Sequence, residues 1–345
     1  MTQNSETHVS ATAVQHMATA ILEAVGTPSD LAQIVAQSLV AANLAGHDSH
    51  GVMRLPSYVG AVREGRVKPA ERPVVVARNQ ATAVVDGCWG WGQPAAQSAT
   101  TTALALAVEY GLGAVTIRRC NHIGRVGEYV EMLARSQMTG IVLCNAGPAV
   151  APYGGREPRL GTNPFAWAAP TADPERPLLL DFATSVMAIG KLEVALARRS
   201  PIKPGALLDA EGQPTTDPAD FFAGGALLPF GAYKGYAMST LVEVLGGALS
   251  GAAPSCLPEY DAGNGTMVVA LNIAAFQPVA HFIDQTTRFA ATIRESLPAE
   301  GFDTVLLPGD PETLARRQRD ASGIPLPVQT WHALQDLASE LGVQV

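Results

Sequence analysis

Residues 41–59, AANLAGHDSHGVMRLPSYV, decide how the rest of the chain is read. The stretch opens on the tail of a helix. Ser29 or Asp30 supplies a cap, Leu31, Ile34, Val35 and Leu39 recur at helical spacing, and Gly46 ends the run. An earlier helix over 11–26 carries Val14, Met17, Ile21, Leu22 and Val25 and stops at Gly26. Directly after Gly46 comes the densest polar cluster of the chain, His47-Asp48-Ser49-His50, with Arg54 close behind. Asp48 or Ser49 can start a further helix through Tyr58, limited or kinked by Pro56. His50 and Arg54 are then i and i+4 on one face. A guanidinium grips a carboxylate with two prongs. An imidazole titrates near neutrality and gives or takes a proton. The pair suits a small 2-oxo or 2-hydroxy acid, with Ser49 or Asp48 orienting the ring. The same residues also serve as a cap ahead of a surface helix, the commoner use of such a cluster.

Beyond Pro69 the texture changes. Short β-type runs cover 72–77 and 82–86, and an Ala-rich helix fits 94–110. A strand at 113–117, a helix over 121–135 and a strand at 141–144 give a βαβ-like alternation. Residues 145–165 are a Gly/Pro-rich loop. Leu178 to Leu180 enter Asp181 as a buried strand, and 200–232 is a long Pro/Gly/Asp-rich excursion. A helix from Ala237, a strand at 267–272 and helices over 278–296, 311–320 and 329–341 complete the pattern. Packing of the two ends on each other predicts residues 1–112 plus 302–345 as a helical substrate and dimerisation unit, and 113–301 as a cofactor unit.

Composition bounds the function classes. Hydrophobic residues make up 47% of the 345 and charged residues 16%, which excludes disorder by composition. Lys plus Arg is 23 against 31 acids, a net charge of −8, so a nucleic-acid or anionic-membrane partner is not expected. The four cysteines form no CxxC pair, so no metal site is expected and a reduced cytoplasmic setting fits. The polar N-terminus reads as no signal peptide, and no run of about 18 apolar residues spans a membrane.

Standard nucleotide and hydrolase motifs are missing: no GxGxxG after a strand, no GxxxxGK[ST], no GxSxG and no HExxH. Other clusters remain. In Asn121-His122-Ile123-Gly124-Arg125-Val126-Gly127 a strand turns into a helix, and its glycines and Arg125 suit a phosphate or a plain helix-packing turn. Thr162 lies in a Gly-Thr-Asn-Pro loop. Asp181 binds a ribose hydroxyl or caps a helix. Lys234, at a helix start, opposes the dipole and hints at an anion, or is simply exposed.

Taken together, seven stretches in order resemble the malate/L-lactate dehydrogenase family of the non-Rossmann type. They are AANLAGHDSHGVMRLPSYV, NHIGRVGEY, GTNPFAW, LLLDFATSVMAIGK, KGYAMSTLVEVLGGALSGA, LPGDPE and GIPL, spread from about residue 10 to 340. NHIGR, and LLPF followed by KGYA, are most similar to the hydroxycarboxylate dehydrogenase or 2-oxo acid reductase branch. The resemblance implies an α/β non-Rossmann NAD(P)-binding fold with a helical N- and C-terminal part, NAD or NADP as cofactor, and a homodimer acting on a 2-oxo or 2-hydroxy acid. It assigns His50, Ser49, Arg54 and His122 to catalysis, and Arg54 with Thr162 to substrate. It assigns His50, His122, Ile123, Gly124, Pro177, Leu178, Leu179, Leu180, Asp181, Gly231, Lys234, Asn272, Gly309, Asp310, Pro311 and Glu312 to the cofactor. Between the two histidines, His50 is favoured for proton transfer. Reduction of cyclic imines such as piperideine- or pyrroline-2-carboxylate is the alternative. It needs a Ser–His–Asp relay, and Lys191 stands where its acid is expected.

Overall fold

The computed structural model describes residues 6–344, so the first five residues of the polar N-terminal stretch lie outside it. Strand β1 (Glu6–Val9) leads into helices α1 (Ala11–Ala24) and α2 (Ser29–Leu44). Ser10 caps α1 by accepting from the Ala13 amide at 3.2 Å. Val14, Met17, Ile21 and Leu22 of α1 and Leu31, Val35 and Leu39 of α2 are buried, as their spacing requires. Gly46, at φ +83°, turns the chain out of α2. Two 3₁₀ turns, 48–50 and 52–54, precede α3 (Leu55–Arg63), where Pro56 sits in the first turn and no N–H is needed. The single helix from Asp48 to Tyr58 therefore does not form, because extended backbone at Gly51 (φ −88°, ψ −159°) separates the turns.

Next come β2 (Val74–Asn79), β3 (Thr82–Asp86), α4 (Gly92–Tyr110), β4 (Leu112–Arg118), α5 (Gly127–Arg135), β5 (Met138–Cys144), β6 (Phe165–Ala169) and β7 (Leu178–Phe182). The excursion at 200–232 folds as a small three-stranded sheet of β8 (Leu207–Leu208), β9 (Pro214–Thr215) and β10 (Ala226–Leu227). It lies between α6 (Ile189–Ala197) and α8 (Tyr233–Val242) and includes α7 (Ala219–Phe222). Helix α8 runs into a π-helical turn over 243–248. Then follow β11 (Thr266–Asn272), α9 (Val279–Arg294), α10 (Asp310–Ser322), β12 (Ile324–Pro327) and α11 (Val328–Glu340).

The main sheet has seven strands in the order β2-β3-β4-β11-β5-β6-β7. Only β3 and β4 are parallel; every other neighbouring pair is antiparallel. The adjacent parallel crossover is thus β3–α4–β4, whereas β4 and β5 are held apart by β11. Helices α4 and α5 cover one face and share a single core with the sheet. The alanines of α4 let it lie close: a Cβ at Gly113 would fall 2.1 Å from the Ala103 carbonyl oxygen.

The two ends of the chain meet. β1 pairs with β12, and α11 packs with α1 and α3 around Ile324, Leu326, Leu334 and Leu337. The boundary expected at 112/113 falls inside the sheet, since β2, β3 and α4 precede it and pack there. No helix among the described residues is long and apolar enough to cross a membrane.

Candidate active site

The polar cluster after α2 is shaped by Asn43. Its Nδ2 donates to Asp48 Oδ1 at 2.6 Å, and its Oδ1 accepts from the Val52 amide at 2.9 Å. Gly51 is required beneath it, because a Cβ there would fall 2.2 Å from Asn43 Oδ1. Arg319 of α10 binds Asp48 from the other side. Asp48 is therefore committed to holding the turn, and the residue next to the His50 ring nitrogen is Ser49, with Oγ 3.2 Å from Nδ1. Helix α6 begins against Ser49, where a Cβ at Gly190 would lie 2.8 Å from the serine Cβ.

Arg54 does not reach His50's surroundings by helical spacing. It folds back, its Nε donating to the Ser49 carbonyl at 2.6 Å. It makes no ion pair among the described residues, so its terminal nitrogens keep their capacity for an anion. His122 comes from the loop after β4 and stacks on His50, with ring centroids 5.5 Å apart and planes 14° from parallel. Burial, then His122 and Arg54, holds His50 well below the ordinary imidazole range. Burial, then Arg54, brings His122 down to about 4. Both rings are neutral at pH 7.

Two residues that the sequence reading passed over complete the pair. Tyr58 of α3 places its hydroxyl 2.8 Å from His122 Nδ1, and Gln93 of α4 donates to that hydroxyl at 2.8 Å. Their signal was weak: a neutral aromatic and an amide on helices look like packing residues, and only their convergence on an imidazole distinguishes them.

The remaining candidates separate. Ile123 is core, and its carbonyl accepts from the Tyr129 hydroxyl. Gly124, at φ +76°, lies beneath Ser38 and Gln93. Arg125 is buried and paired with Glu131 at 2.6 Å, so it is not presented to a phosphate. The helix expected from residue 121 starts only at Gly127, where Asp181 Oδ2 accepts the Gly127 amide at 2.8 Å. Burial raises the Asp181 carboxyl, against the pull of Arg125.

Leu178 and Leu179 are core, while Pro177, Leu180 and Asp181 are half-buried along edge strand β7. Gly309, at φ +98°, lets α10 start against this edge, where the Leu179 amide donates to the Pro308 carbonyl at 3.1 Å. Asp310 faces away, accepting from Arg176, Arg294 and the Leu307 amide, and those donors bring it to about 2 against the opposing effect of burial. Pro311 is exposed. Glu312 pairs with His47 at 3.2 Å.

Thr162 is half-buried and its carbonyl receives the Thr184 amide; from Thr184 the strand contact continues to Phe230, next to Gly231 and the exposed Lys234. Asn272 stands at the other end of the sheet from His122. Its side chain donates to the Ala107 carbonyl and accepts from the Ala274 amide, so the structure does not bring it to the imidazole pair.

The residues present fit a dinucleotide at one telling point. A narrow crevice between β7 and α10 is lined by Glu131, Pro177, Leu179, Gly309, Glu312 and Thr313. Glu312 Oε2 is buried there without a hydrogen-bond partner, an acceptor suited to a sugar hydroxyl.

Fold and site together define an oxidoreductase of 2-hydroxy acids. The chain belongs to the malate/L-lactate dehydrogenase family, whose profile matches residues 9–335. It is 36% identical over 332 residues to hydroxycarboxylate dehydrogenase B of Escherichia coli O157:H7, covering 94% of this chain and 91% of the relative. It is also 36% identical over 335 residues to malate dehydrogenase of Pyrococcus horikoshii, covering 94% and 92%. The crystal structure of malate dehydrogenase from Entamoeba histolytica superposes with a TM-score of 0.94 at 27% identity, covering 99% of both chains.

Proposed function

We propose that the protein reduces a small 2-oxo acid to the 2-hydroxy acid, and reverses that reaction, with NAD or NADP as hydride carrier. The observation that carries the reading is the stacked, neutral His50–His122 pair beside an Arg54 with no carboxylate partner. When bound, the nicotinamide supplies or takes the hydride at substrate C2. Asp181, Glu312 and the Gly309 backbone, with Lys234 and Gly231, would hold the dinucleotide.

Arg54 anchors the substrate carboxylate. His50 takes the hydroxyl proton in oxidation, for which a neutral ring is ready at pH 7, and Ser49 Oγ steadies its Nδ1. In reduction the same ring must arrive protonated, and the negative charge of the bound acid raises its basicity toward that state. His122 donates a hydrogen bond to the substrate oxygen.

The four free cysteines suit a reducing cytoplasm. A homodimer is supported by the exposed apolar side chains of Tyr233, Leu241, Val244 and Leu249 on α8 and its π-helical extension.

The test is absorbance at the nicotinamide band with both cofactors over a panel of 2-oxo acids and cyclic imino acids. Turnover of a 2-oxo acid is expected. Turnover of cyclic imines alone, or of neither class, overturns the reading.

A further inference from the structure

His122 can face a substrate oxygen either as an N–H donor or as a bare nitrogen, and the chain behind it decides which. Tyr58 has one hydroxyl hydrogen and sits between Gln93 Nε2 and His122 Nδ1, 2.8 Å from each. Gln93 and Tyr58 are withdrawn from water, 1% and 7% exposed, and His122 is half-buried. Gln93 gives its N–H to the tyrosine oxygen, which leaves the tyrosine hydrogen for His122 Nδ1. A neutral imidazole that accepts at Nδ1 carries its hydrogen on Nε2.

The amide of Gln93 has no other anchor. Its Oε1 is buried without a partner among the described residues, so Tyr58 is the only hydrogen-bond partner of this side chain among them.

We propose that Gln93 is a positioning residue which sets the direction of the Gln93–Tyr58–His122 hydrogen-bond chain and thereby holds His122 as an Nε2–H donor toward the substrate oxygen. The inference rests on the proposed role of His122, but its first readout needs no substrate. Gln93→Glu replaces the amide with a group that, once ionised, offers lone pairs only. Tyr58 then donates to the carboxylate, its oxygen faces His122, and the imidazole moves its hydrogen to Nδ1.

The experiment is long-range ¹H–¹⁵N NMR of histidine-labelled protein, wild type, Gln93→Glu and Gln93→Leu, with His122→Asn identifying the signal. Steady-state reduction of the best 2-oxo acid is measured in parallel. The wild type is expected to show hydrogen on Nε2, Gln93→Glu on Nδ1, and Gln93→Leu both forms. The Gln93→Glu turnover number falls at least about tenfold, with KM changed less. Gln93→Leu introduces no charge and keeps the test open should the buried carboxylate disturb folding. Hydrogen on Nε2 in both variants overturns the proposal, even if turnover falls. Hydrogen moved to Nδ1 with turnover unaltered overturns the donor role of His122 toward the substrate oxygen and leaves only the control of its tautomer.

Discussion

His122 offers a thermodynamic test of whether the site is built to keep its imidazoles neutral. Burial, with Arg54 adding like-charge repulsion, lowers its basicity from 6.5 to about 4. Between those values the unfolded chain binds more protons than the folded one, so stability falls as the pH drops through the window. The contribution is complete above pH 6.5 and lost by about pH 4. At 1.36 kcal/mol per unit the whole window is about 3 kcal/mol, of which about 2 kcal/mol is lost by pH 5. His122→Asn abolishes this titration, while the side-chain oxygen it introduces still accepts from the Tyr58 hydroxyl 2.8 Å from the ring nitrogen. Urea unfolding of both proteins at pH 7.5 and pH 5.0 isolates the effect, because the remaining carboxylates and His50 titrate in each. Wild type is expected to lose about 2 kcal/mol more than His122→Asn between the two conditions. Equal losses would mean that His122 is solvated and titrates as an ordinary histidine, and the neutral-pair argument would fail.

Arg54→Lys should raise KM for 2-oxo acids about ten- to a hundredfold with a smaller change in kcat, since a point charge replaces a two-pronged grip; an unchanged KM in steady-state assays would take Arg54 out of the substrate site. In single-turnover hydride transfer, His50→Ala should slow the step by roughly 10²–10⁴ and by more than His122→Ala. A near-normal rate in His50→Ala reverses the assignment of the proton. Asp310→Asn leaves Arg176 and Arg294 facing a neutral amide at a site 2% exposed, and should cost about 3 kcal/mol in urea unfolding with KM for the 2-oxo acid retained. A loss of activity without loss of stability would place Asp310 in the cofactor site instead.

What was legible in the chain was what local chemistry specifies. The helical spacing of Leu31, Val35 and Leu39, the stop at Gly46 and the cluster behind it all appear where their residue types require. What was not legible depends on partners far away in sequence. Residues 113–144 carry a true strand–helix–strand pattern, yet nothing in them announces that β11, more than a hundred residues later, separates the two strands. The start of α5 is delayed because its cap is Asp181, from β7, rather than a residue beside it. The same non-locality corrects the site. His50 and Arg54 do not share a helix face, because Asn43 staples the intervening backbone into two turns and Arg54 folds back over the first. Their nearness survives for a different physical reason than spacing. His122 joins them through tertiary packing alone, with Tyr58 and Gln93 behind it, each from a different element. A site assembled in this way shows its charged ends in the sequence and hides the neutral groups that orient them. Asp310 makes the converse point: it stands within the expected cofactor stretch, but two half-buried guanidinium partners account for its charge. Residue type announces chemistry, and the hydrogen-bond partner decides whether that chemistry serves the fold or the reaction.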